Sequence, residues 1–435
     1  MTIKDELSLN GDSSSFFRKK DTKGWISKER EKMKIAIMGY GTIGSGVAKV
    51  LTENHKLVKK NVGEELDIKY ILDLRDFPED PHRDKIVNDI DAIINDPEVR
   101  IVVETMGGLH PAFEFVKRCL EAGKSVTTSN KALVADYGVE LQEIARKNHA
   151  GFMCEASVGG GIPILRVLDT CLTADLIEEI SGIVNGTTNY MLTEMEKNGT
   201  DFETVLKDAQ NKGYAEKDPT ADIEGFDAAR KIAILTSIVS HHNVDFNEIP
   251  VEGITGISVR DIGYAKKMNM AIKLIANATR ENGSYSLRVA PYMIKNDNPL
   301  YSVNGAFNAI FVKGNMLGDS MYYGSGAGSI PTASAVCADI IALAKKIDEP
   351  EYEFYWDSNN LKLADPGKTK CRFFVRADTT KTTKNEAENM FPDAEFRESI
   401  YDNEISFITG KYQDEEILNR LNRLKGVIQK IRIKE

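Results

Sequence analysis

Cysteine is scarce in this sequence, and the few cysteines are spread along the chain. There are five of them, an odd number without a Cys-x-x-Cys pair, which argues against a disulfide framework and against a thiolate metal site. The six histidines also lack the His-Glu-x-x-His spacing of a zinc enzyme. We therefore expect a protein of the reducing cytoplasm.

Long apolar runs and an excess of positive charge are also missing. No stretch approaches the roughly 18 consecutive apolar residues of a membrane helix. The chain has 56 Lys and Arg against 66 Asp and Glu, a net charge of −10, which disfavours nonspecific attraction to nucleic acid or to anionic membranes. We expect small-molecule partners, with no nucleic acid and no membrane. The 435 residues are enough for two or three domains.

The first 32 residues are polar and charged and lack the apolar core of a secretory signal. We expect this segment to be a disordered extension. Met33 directly precedes the first strand pattern, so the segment is either a true extension or the product of an upstream start codon.

A glycine-rich turn follows the first apolar strand pattern, residues 34–38, and leads into a helical pattern. Gly39 permits the tight turn, Gly41 lets backbone N–H groups approach a pyrophosphate, and Gly44 permits close packing of helix on strand. We therefore expect a dinucleotide bound at Gly39, Gly41, Thr42, Ile43 and Gly44. A glycine turn with a purely structural role is the alternative.

The second strand pattern, residues 68–72, ends in Asp73 and Arg75. A carboxylate there pairs with the free 2′-hydroxyl of NAD, whereas a guanidinium pairs with the 2′-phosphate of NADP. Both side chains lie on the same side if the strand continues, where they would pair with each other. The coenzyme stays open between NAD and NADP, with a slight lean to NADP; Arg75 can reach a 2′-phosphate only if Asp73 points away.

Strand and helix patterns then alternate up to residue 156, which predicts a parallel, doubly wound sheet. Ligands of such sheets bind beyond the carboxyl ends of the strands. This edge comprises three short segments: 105–108, 129–131 and 156–157. Lys131 begins a predicted helix, where a cation opposes the helix dipole, so it is either a residue of the cleft or a solvated surface lysine.

An acid-rich segment, residues 213–231, leads into a helix that is apolar on nearly all sides and is expected to be buried. Asp227 and Lys231 stand one helical turn apart at its start, with Glu224 one turn earlier on the same face. Buried charges must be paired or face a polar cleft. Lys231 is therefore a candidate proton donor or acceptor; an exposed Asp–Lys pair of little energetic value is the alternative.

Together these segments resemble homoserine dehydrogenases over roughly residues 33–347. The resemblance rests on motifs in the order of the family: GYGTIGSGV, ETMGG, TSNKAL, EASVGGGIPI, GIVNGTTNY, GYAEKDPTADIEGFDAARK and GSGAGSIPTASAV. It implies reversible, NAD(P)H-dependent reduction of L-aspartate 4-semialdehyde to L-homoserine, a step towards threonine and methionine. A non-catalytic NAD(P)-binding sensor of the same fold is the alternative from another class.

The resemblance also implies roles for single residues. Lys231 is expected to be the acid/base, with Asp227 beside it, and Lys131 a cation near both coenzyme and substrate. Glu216 and Asp222 are expected to bind the substrate ammonium group. Hydride arriving at an aldehyde carbon develops negative charge on oxygen, which a positioned ammonium group stabilises and then protonates.

Two glycine-rich loops complete the implied site. Thr105 and Gly326 are expected to contact the coenzyme, the latter in a loop that returns over it. The loop EASVGGGIPI resembles a monovalent cation (Na⁺) site, with ligands drawn from the carbonyls of Glu155, Val158, Gly160 and Ile162. A plain structural turn is the alternative there.

The expected fold is α/β: a Rossmann-type dinucleotide-binding domain, an inserted α+β substrate and dimerisation domain, and a small ferredoxin-like (ACT-like) C-terminal domain. The expected bounds are 33–158 with 324–347, then 159–323, a linker at 348–367, and 368–435. The last segment shows β, α, β, α, β patterning, but its first loop lacks the usual Asp-Pro-Gly, so it either binds threonine or only assembles the oligomer. A homodimer or homotetramer is expected.

Overall fold

The computed structural model describes residues 32–350 and 354–434. The predicted N-terminal extension lies outside the described residues, apart from Lys32. None of the described helices combines the length and the apolar character needed to cross a membrane. The five cysteines are free.

The first part of the chain builds a six-stranded sheet in which every strand pair is parallel. Its strand order is β3-β2-β1-β4-β5-β6, the order of a Rossmann sheet. The elements are β1 (Met33–Met38), α1 (Thr42–Glu53), α2 (His55–Val62), β2 (Leu66–Leu72), β3 (Ile86–Val87), α3 (Asp91–Ile94), β4 (Val99–Glu104), α4 (Ala112–Glu121), β5 (Ser125–Thr128), α5 (Lys131–Lys147) and β6 (Phe152–Met153). The predicted doubly wound sheet is confirmed.

Both faces of this sheet are buried. Ile35 and Ile37 belong to one apolar cluster, whereas Ala36 and Met38 belong to another on the opposite face. Helices cover a parallel sheet on both sides, so its strands are continuously apolar rather than alternating. Chain order reverses between β1 and β4, which places the ligand cleft at the carboxyl ends of these two strands.

The middle of the chain forms a second sheet with the strand order β12-β11-β7-β9-β10, all antiparallel. A π-helical segment, Val167–Cys171, precedes it. The elements of this middle part of the chain are β7 (Ile177–Ile183), α6 (Gly186–Asn198), α7 (Phe202–Asn211), α8 (Thr220–Ile223), α9 (Phe226–Ser240), β8 (His242–Asn243), α10 (Val259–Lys267), β9 (Met270–Glu281), β10 (Ser284–Lys295), β11 (Phe307–Gly314), β12 (Gly318–Ser325) and α11 (Ser329–Lys345).

Helix α11 brings the chain back to the first sheet, as the sequence predicts. The Ser329 hydroxyl donates a 2.6 Å hydrogen bond to the Thr42 carbonyl at the start of α1. A side chain at Gly46 would come within 2.7 Å of the same hydroxyl. The two helices are therefore in close contact beside the glycine turn.

Part of the segment predicted as a linker packs on the first sheet's helices. Phe354 and Trp356 are buried, and the Trp356 ring lies where a Cβ on Gly138 of α5 would come within 2.9 Å. The backbone N–H of Trp356 donates to the Gln142 side chain at 3.2 Å. A short strand, β13 (Asp357–Asn360), then pairs with β8.

The C-terminal segment extends the second sheet, because β18 lies parallel to β10 and the order continues β18-β14-β16-β15. Its elements are β14 (Lys370–Asp378), α12 (Lys384–Met390), β15 (Glu395–Arg397), β16 (Glu404–Ile408), β17 (Tyr412–Gln413), α13 (Asp414–Arg423) and β18 (Val427–Lys434). The three strands and the last helix expected from the sequence are present. The edge strand β15 changes the predicted β, α, β, α, β pattern to β, α, β, β, α, β, and the two-residue strand β17 precedes α13. The ACT-like assignment stays a prediction.

Candidate functional site

The glycine turn after β1 is shaped for a closely approaching ligand. Gly39 has a φ of +90°, and a Cβ on it would lie 2.9 Å from the Met106 backbone. A Cβ on Gly44 would lie 2.0 Å from the Gly39 carbonyl. Gly41 is the N-cap of α1 and supplies no side-chain acceptor, so backbone N–H groups of the first turn at Thr42 and Ile43 are left for a ligand. This cradle fits the pyrophosphate of a dinucleotide.

Asp73 and Arg75 meet at the end of β2, as one of the sequence alternatives states. The carboxylate of Asp73 accepts hydrogen bonds from the Arg75 side chain and from the Tyr40 backbone N–H, the latter at 2.7 Å. Arg75 holds the pKa of the Asp73 carboxyl well below its usual range. The two residues therefore act as one charged unit beside the glycine turn.

Thr105 ties the end of β4 to the glycine turn, since its hydroxyl donates a 2.8 Å hydrogen bond to the Gly39 carbonyl. Glu104 is fully buried behind it and accepts hydrogen bonds from the backbone N–H groups of Met106, at 2.8 Å, and Gly107, at 3.3 Å. The Thr128 hydroxyl donates to the other carboxylate oxygen. Burial raises the pKa of Glu104. Sequence reasoning missed this residue because it reads as the last position of a strand.

Three charged side chains meet at the edge of the cleft. Asp227 is buried on the first turn of α9, and its Oδ2 lies 2.7 Å from the Lys231 ammonium one turn later. The ammonium of Lys131, at the start of α5, forms an ion pair with the other oxygen of Asp227. Lys231 is buried, whereas the Lys131 side chain is 43% exposed. Residues about 100 positions apart in the sequence thus share one carboxylate.

A turn at the end of β7 completes the cluster. The Val184 carbonyl accepts a 2.7 Å hydrogen bond from the Lys231 ammonium. The next residue, Asn185, donates from its side-chain amide to Asp222 at 2.7 Å and to Asp227 at 2.8 Å. Neither Val184 nor Asn185 was among the predicted site residues. The only available signal was their position in the motif GIVNGTTNY.

The ionisation of these groups follows from burial and from the shared charges. Burial raises the pKa of an isolated carboxyl, but Lys231 and Lys131 hold the pKa of Asp227 well below its usual range. Burial lowers the pKa of Lys231, although Asp227 opposes this. Burial likewise disfavours charged Lys131, but Asp227 outweighs it and the pKa of Lys131 is raised. Burial raises the pKa of Asp222, and the hydrogen bond from Asn185 opposes the rise.

Glu216 lies apart from this arrangement in the described structure. It is exposed in the loop between α7 and α8. The side-chain amide of Gln210 donates to its backbone carbonyl at 3.1 Å. The cluster therefore brings together Lys131, Asp222, Asp227 and Lys231 but not the Glu216 carboxylate.

The loop predicted to hold a cation is buried and tightly turned. Glu155 is buried, and its carboxylate accepts the backbone N–H groups of Ile164, Leu165 and Arg166 at 2.7 to 2.9 Å. The backbone turns at Gly159 and Gly160, with φ of +76° and +58°. Val158, Gly160 and Ile162 lie on this turn, so backbone carbonyls rather than carboxylates would have to bind an ion here.

The return loop after β12 packs on the same turn. A Cβ on Gly160 would lie 2.4 Å from the Gly326 carbonyl, and a Cβ on Gly326 would fall 1.9 Å from the Asn308 amide nitrogen. Both positions therefore require glycine. Gly326 thus lies between the predicted cation loop and a buried asparagine of β11.

Two family models match the chain in succession. Residues 39–155 match the NAD-binding domain of homoserine dehydrogenase, and residues 163–341 match the homoserine dehydrogenase domain. A homoserine dehydrogenase of Bacillus subtilis is 41% identical over 318 residues, which are 72% of this chain and 73% of that protein. The chain belongs to the homoserine dehydrogenase family. The homoserine dehydrogenase of Helicobacter pylori is 40% identical over 349 residues, 80% of this chain and 82% of that protein.

Solved structures of the family share the fold. A homoserine dehydrogenase from Thiobacillus denitrificans superimposes with a TM-score of 0.86 at 31% identity and covers 93% of this chain and 99% of its own. A hyperthermophilic archaeal homoserine dehydrogenase in complex with NADPH gives a TM-score of 0.61 at 30% identity, covering 72% and 97%. The predicted family is confirmed, as is the prediction of an NAD(P)-dependent oxidoreductase acting on a CH–OH group. The non-catalytic sensor is not favoured.

Proposed function

We propose that this chain interconverts L-aspartate 4-semialdehyde and L-homoserine at the cluster of Lys131, Asp222, Asp227 and Lys231. The observation that carries the proposal is the buried Lys231 ammonium, held 2.7 Å from both Asp227 and the Val184 carbonyl and linked through Asp227 to Lys131, the first residue of α5. A buried lysine held by a carboxylate and a carbonyl is a positioned acid/base rather than a surface charge.

Lys231 handles the proton of the reacting oxygen. When bound, the nicotinamide ring supplies the hydride that the aldehyde carbon accepts. Charged Lys231 stabilises the negative charge that develops on the oxygen and then donates a proton to it. In the reverse direction neutral Lys231 accepts the hydroxyl proton, and its lowered pKa makes that form more accessible than in a free lysine. Asp227 holds the ammonium in place.

We propose that Asp222 binds the substrate ammonium group. It lies half-buried beside Asp227, with the Asn185 amide bonded to one of its oxygens. We propose that Glu216 joins it, which requires the exposed loop that carries Glu216 to close over a bound substrate. We propose that Lys131, at the start of α5, lies near both the bound substrate and the coenzyme.

The coenzyme is proposed to be NADP in preference to NAD. Gly39, Gly41, Thr42, Ile43, Gly44, Thr105 and Gly326 would bind it, with Arg75 at the 2′-phosphate. In the described structure the Arg75 guanidinium is paired with Asp73, so this proposal requires Asp73 to turn away and release Arg75 when the 2′-phosphate binds. The exposed position of the Arg75 side chain supports it, because the guanidinium is accessible beside the glycine turn.

A monovalent cation such as Na⁺ is proposed at the carbonyls of Glu155, Val158, Gly160 and Ile162. Hard cations prefer oxygen ligands, which a turned glycine backbone can supply. Activity after dialysis against a tetramethylammonium buffer, with and without added NaCl, tests this site. Stimulation by NaCl but not by an equal concentration of tetramethylammonium chloride is expected.

The predicted domain division and assembly also stay proposals. We propose a coenzyme domain at 33–158 with 324–347, a substrate domain at 159–323, and a C-terminal unit at 368–435, in a cytoplasmic homodimer or homotetramer. Phe307, Met321 and Tyr323 on the edge hairpin β11–β12 are 41 to 53% exposed, as an edge covered by a second copy would be. Analytical ultracentrifugation of the wild type and of Tyr323→Lys tests the assembly.

The deciding experiment for the proposed function follows nicotinamide absorbance at about 340 nm. Reduction of NADP⁺ or NAD⁺ is expected when L-homoserine is added to the full chain. Binding of either coenzyme without turnover would instead support the sensor of the same fold. L-Serine and L-threonine serve as control alcohols, because they place the hydroxyl at a different distance from the ammonium group.

A further inference from the structure

We propose that Asn185 is a positioning residue that orients both Asp222 and Asp227 for the reaction, an inference that rests on the proposed function. Its side-chain nitrogen lies 2.7 Å from Asp222 Oδ1 and 2.8 Å from Asp227 Oδ2. One amide group therefore bridges the carboxylate assigned to the substrate and the carboxylate assigned to the acid/base. Asn185 itself is buried.

Helix capping alone does not explain an asparagine here. Asn185 is the N-cap of α6, and its side-chain oxygen accepts the Thr188 backbone N–H at 2.9 Å. Serine and aspartate cap helices about as well as asparagine. Of these three, only asparagine accepts from the helix with one atom and donates to carboxylates with another. The second function, toward the two carboxylates, is what requires the amide.

The same turn holds Lys231 through its backbone. The Val184 carbonyl and Asp227 Oδ2 both accept from the Lys231 ammonium at 2.7 Å. Asp227 Oδ2 thus accepts from Lys231 and from Asn185 together. Loss of the amide leaves Asp227 held by the two lysines alone, so the position of the Lys231 ammonium is less well determined.

Asn185 also affects the ionisation of Asp222. The charged and titratable groups that face Asp222 are Asp227 and Lys231 on α9 and Lys131 on α5. Burial and the Asp227 charge raise the pKa of Asp222, whereas the lysines and the Asn185 amide lower it. Without the amide, Asp222 keeps its proton to a higher pH. A protonated Asp222 no longer attracts the substrate ammonium group.

Two variants separate positioning from capping, because both keep an acceptor for the Thr188 N–H. Asn185→Ser replaces the two amide hydrogens with a single O–H, which cannot donate to both carboxylates at once, and Asn185→Asp replaces the amide with a third carboxylate. We expect kcat/KM for L-homoserine at pH 7 to fall about tenfold or more in Asn185→Ser, and further in Asn185→Asp. We also expect the acid limb of the pH profile to move to higher pH. The Kd for NADPH, measured by fluorescence, should stay unchanged.

Asp201→Ala is the matched capping control. Asp201 caps α7 in the same way, accepting the Thr204 N–H at 3.0 Å, but lies outside the cluster. It should lower the melting temperature and leave the pH profile in place. A wild-type pH profile with kcat/KM within twofold of wild type in either Asn185 variant would overturn the positioning role. If the wild type itself fails to oxidise L-homoserine, the proposed function is wrong. That result is distinct from failure of the positioning role, which shows only in the comparison of the variants with an active wild type.

Discussion

Arg75 donates two hydrogen bonds of 2.9 Å to Asp73, one to each carboxylate oxygen. The Arg75 side chain is 63% exposed, whereas that of Asp73 is 9% exposed. A Cβ on Gly41 would lie 4.0 Å from the guanidinium. The two residues that favour opposite coenzymes in the sequence thus form one unit, in which the arginine faces outward at the helix start and the aspartate faces inward.

The first prediction concerns coenzyme choice. Arg75→Ala removes the group proposed to bind the 2′-phosphate and leaves the Asp73 carboxylate unpaired. We expect kcat/KM with NADPH to fall about tenfold or more, and kcat/KM with NADH to change much less. Steady-state kinetics with both coenzymes measure the ratio. Arg83→Ala, which alters an exposed arginine of the segment between β2 and β3, is the control, and an equal loss with both coenzymes would argue against phosphate recognition.

The second prediction concerns Lys231. Lys231→Ala removes the proposed acid/base, and groups of this kind typically contribute about 10² or more to the rate. We therefore expect kcat to fall at least about 10²-fold while NADPH still binds. Lys207→Ala removes an exposed lysine of α7 and should leave kcat unchanged. A Lys231→Ala enzyme that turns over at the wild-type rate would remove Lys231 from the mechanism.

The first sheet was predictable because its strands are short, apolar and punctuated by glycine turns. The strands Val99–Glu104 and Ser125–Thr128 lie in the segment up to residue 156 in which alternating strand and helix patterns predict a parallel sheet. The long strand Met270–Glu281 was missed, since it is buried over most of its length and lacks the alternation of a half-exposed strand. The three-residue strand Glu395–Arg397 was too short to leave a pattern.

The candidate site was predictable only where charged residues lie on one helix. Asp227 and Lys231 stand four residues apart, so their pairing follows from helical spacing. Asn185 reaches Asp227 across 42 positions, and no local pattern encodes that contact. Glu104 was missed for a similar reason, since its partner Thr128 lies on the next strand of the sheet. Polar residues at strand ends acquire their roles only when the sheet assembles.

The third prediction is a pH dependence of stability caused by Glu104. Burial raises the pKa of the Glu104 carboxyl in the folded protein above 4.5, the ordinary pKa of a glutamate. As the pH rises through 4.5, the unfolded chain therefore loses the Glu104 proton before the folded protein does. The contribution of Glu104 to the free energy of unfolding is therefore complete below that pH and decreases as the pH approaches the folded-state pKa. Glu104→Gln cannot ionise and should lack this decrease.

Urea unfolding of the wild type and of Glu104→Gln between about pH 4 and pH 8 tests this pH dependence. The difference between their free energies of unfolding should change with pH in favour of the variant. Glu121→Gln, which alters an exposed glutamate at the end of α4, is the control. A constant difference between wild type and Glu104→Gln across this range would contradict the assignment.

The last prediction concerns the C-terminal unit, which joins the substrate domain through buried charges. Arg376 of β14 donates to both oxygens of Glu404, at 2.9 and 3.0 Å, and forms an ion pair with Asp261 of α10. All three are buried. Removing one partner of a buried ion pair typically costs about 3 to 5 kcal/mol, because the other charge stays buried. We therefore expect Arg376→Met to destabilise the protein by about this amount without changing kcat.

Chemical unfolding and steady-state kinetics on the same preparation separate the two effects. Arg423→Met, at an exposed position of α13, should change neither the stability nor kcat.

The same reasoning applies to a shortened chain that ends near Asp348. Such a chain keeps every proposed proton-transfer residue. It leaves Asp261 without Arg376, and it leaves Arg288 without Asp414, its partner at 3.1 Å. We expect that shortened chain to be active only where it remains folded. Loss of turnover in a folded Arg376→Met protein would instead place the C-terminal unit within the catalytic machinery.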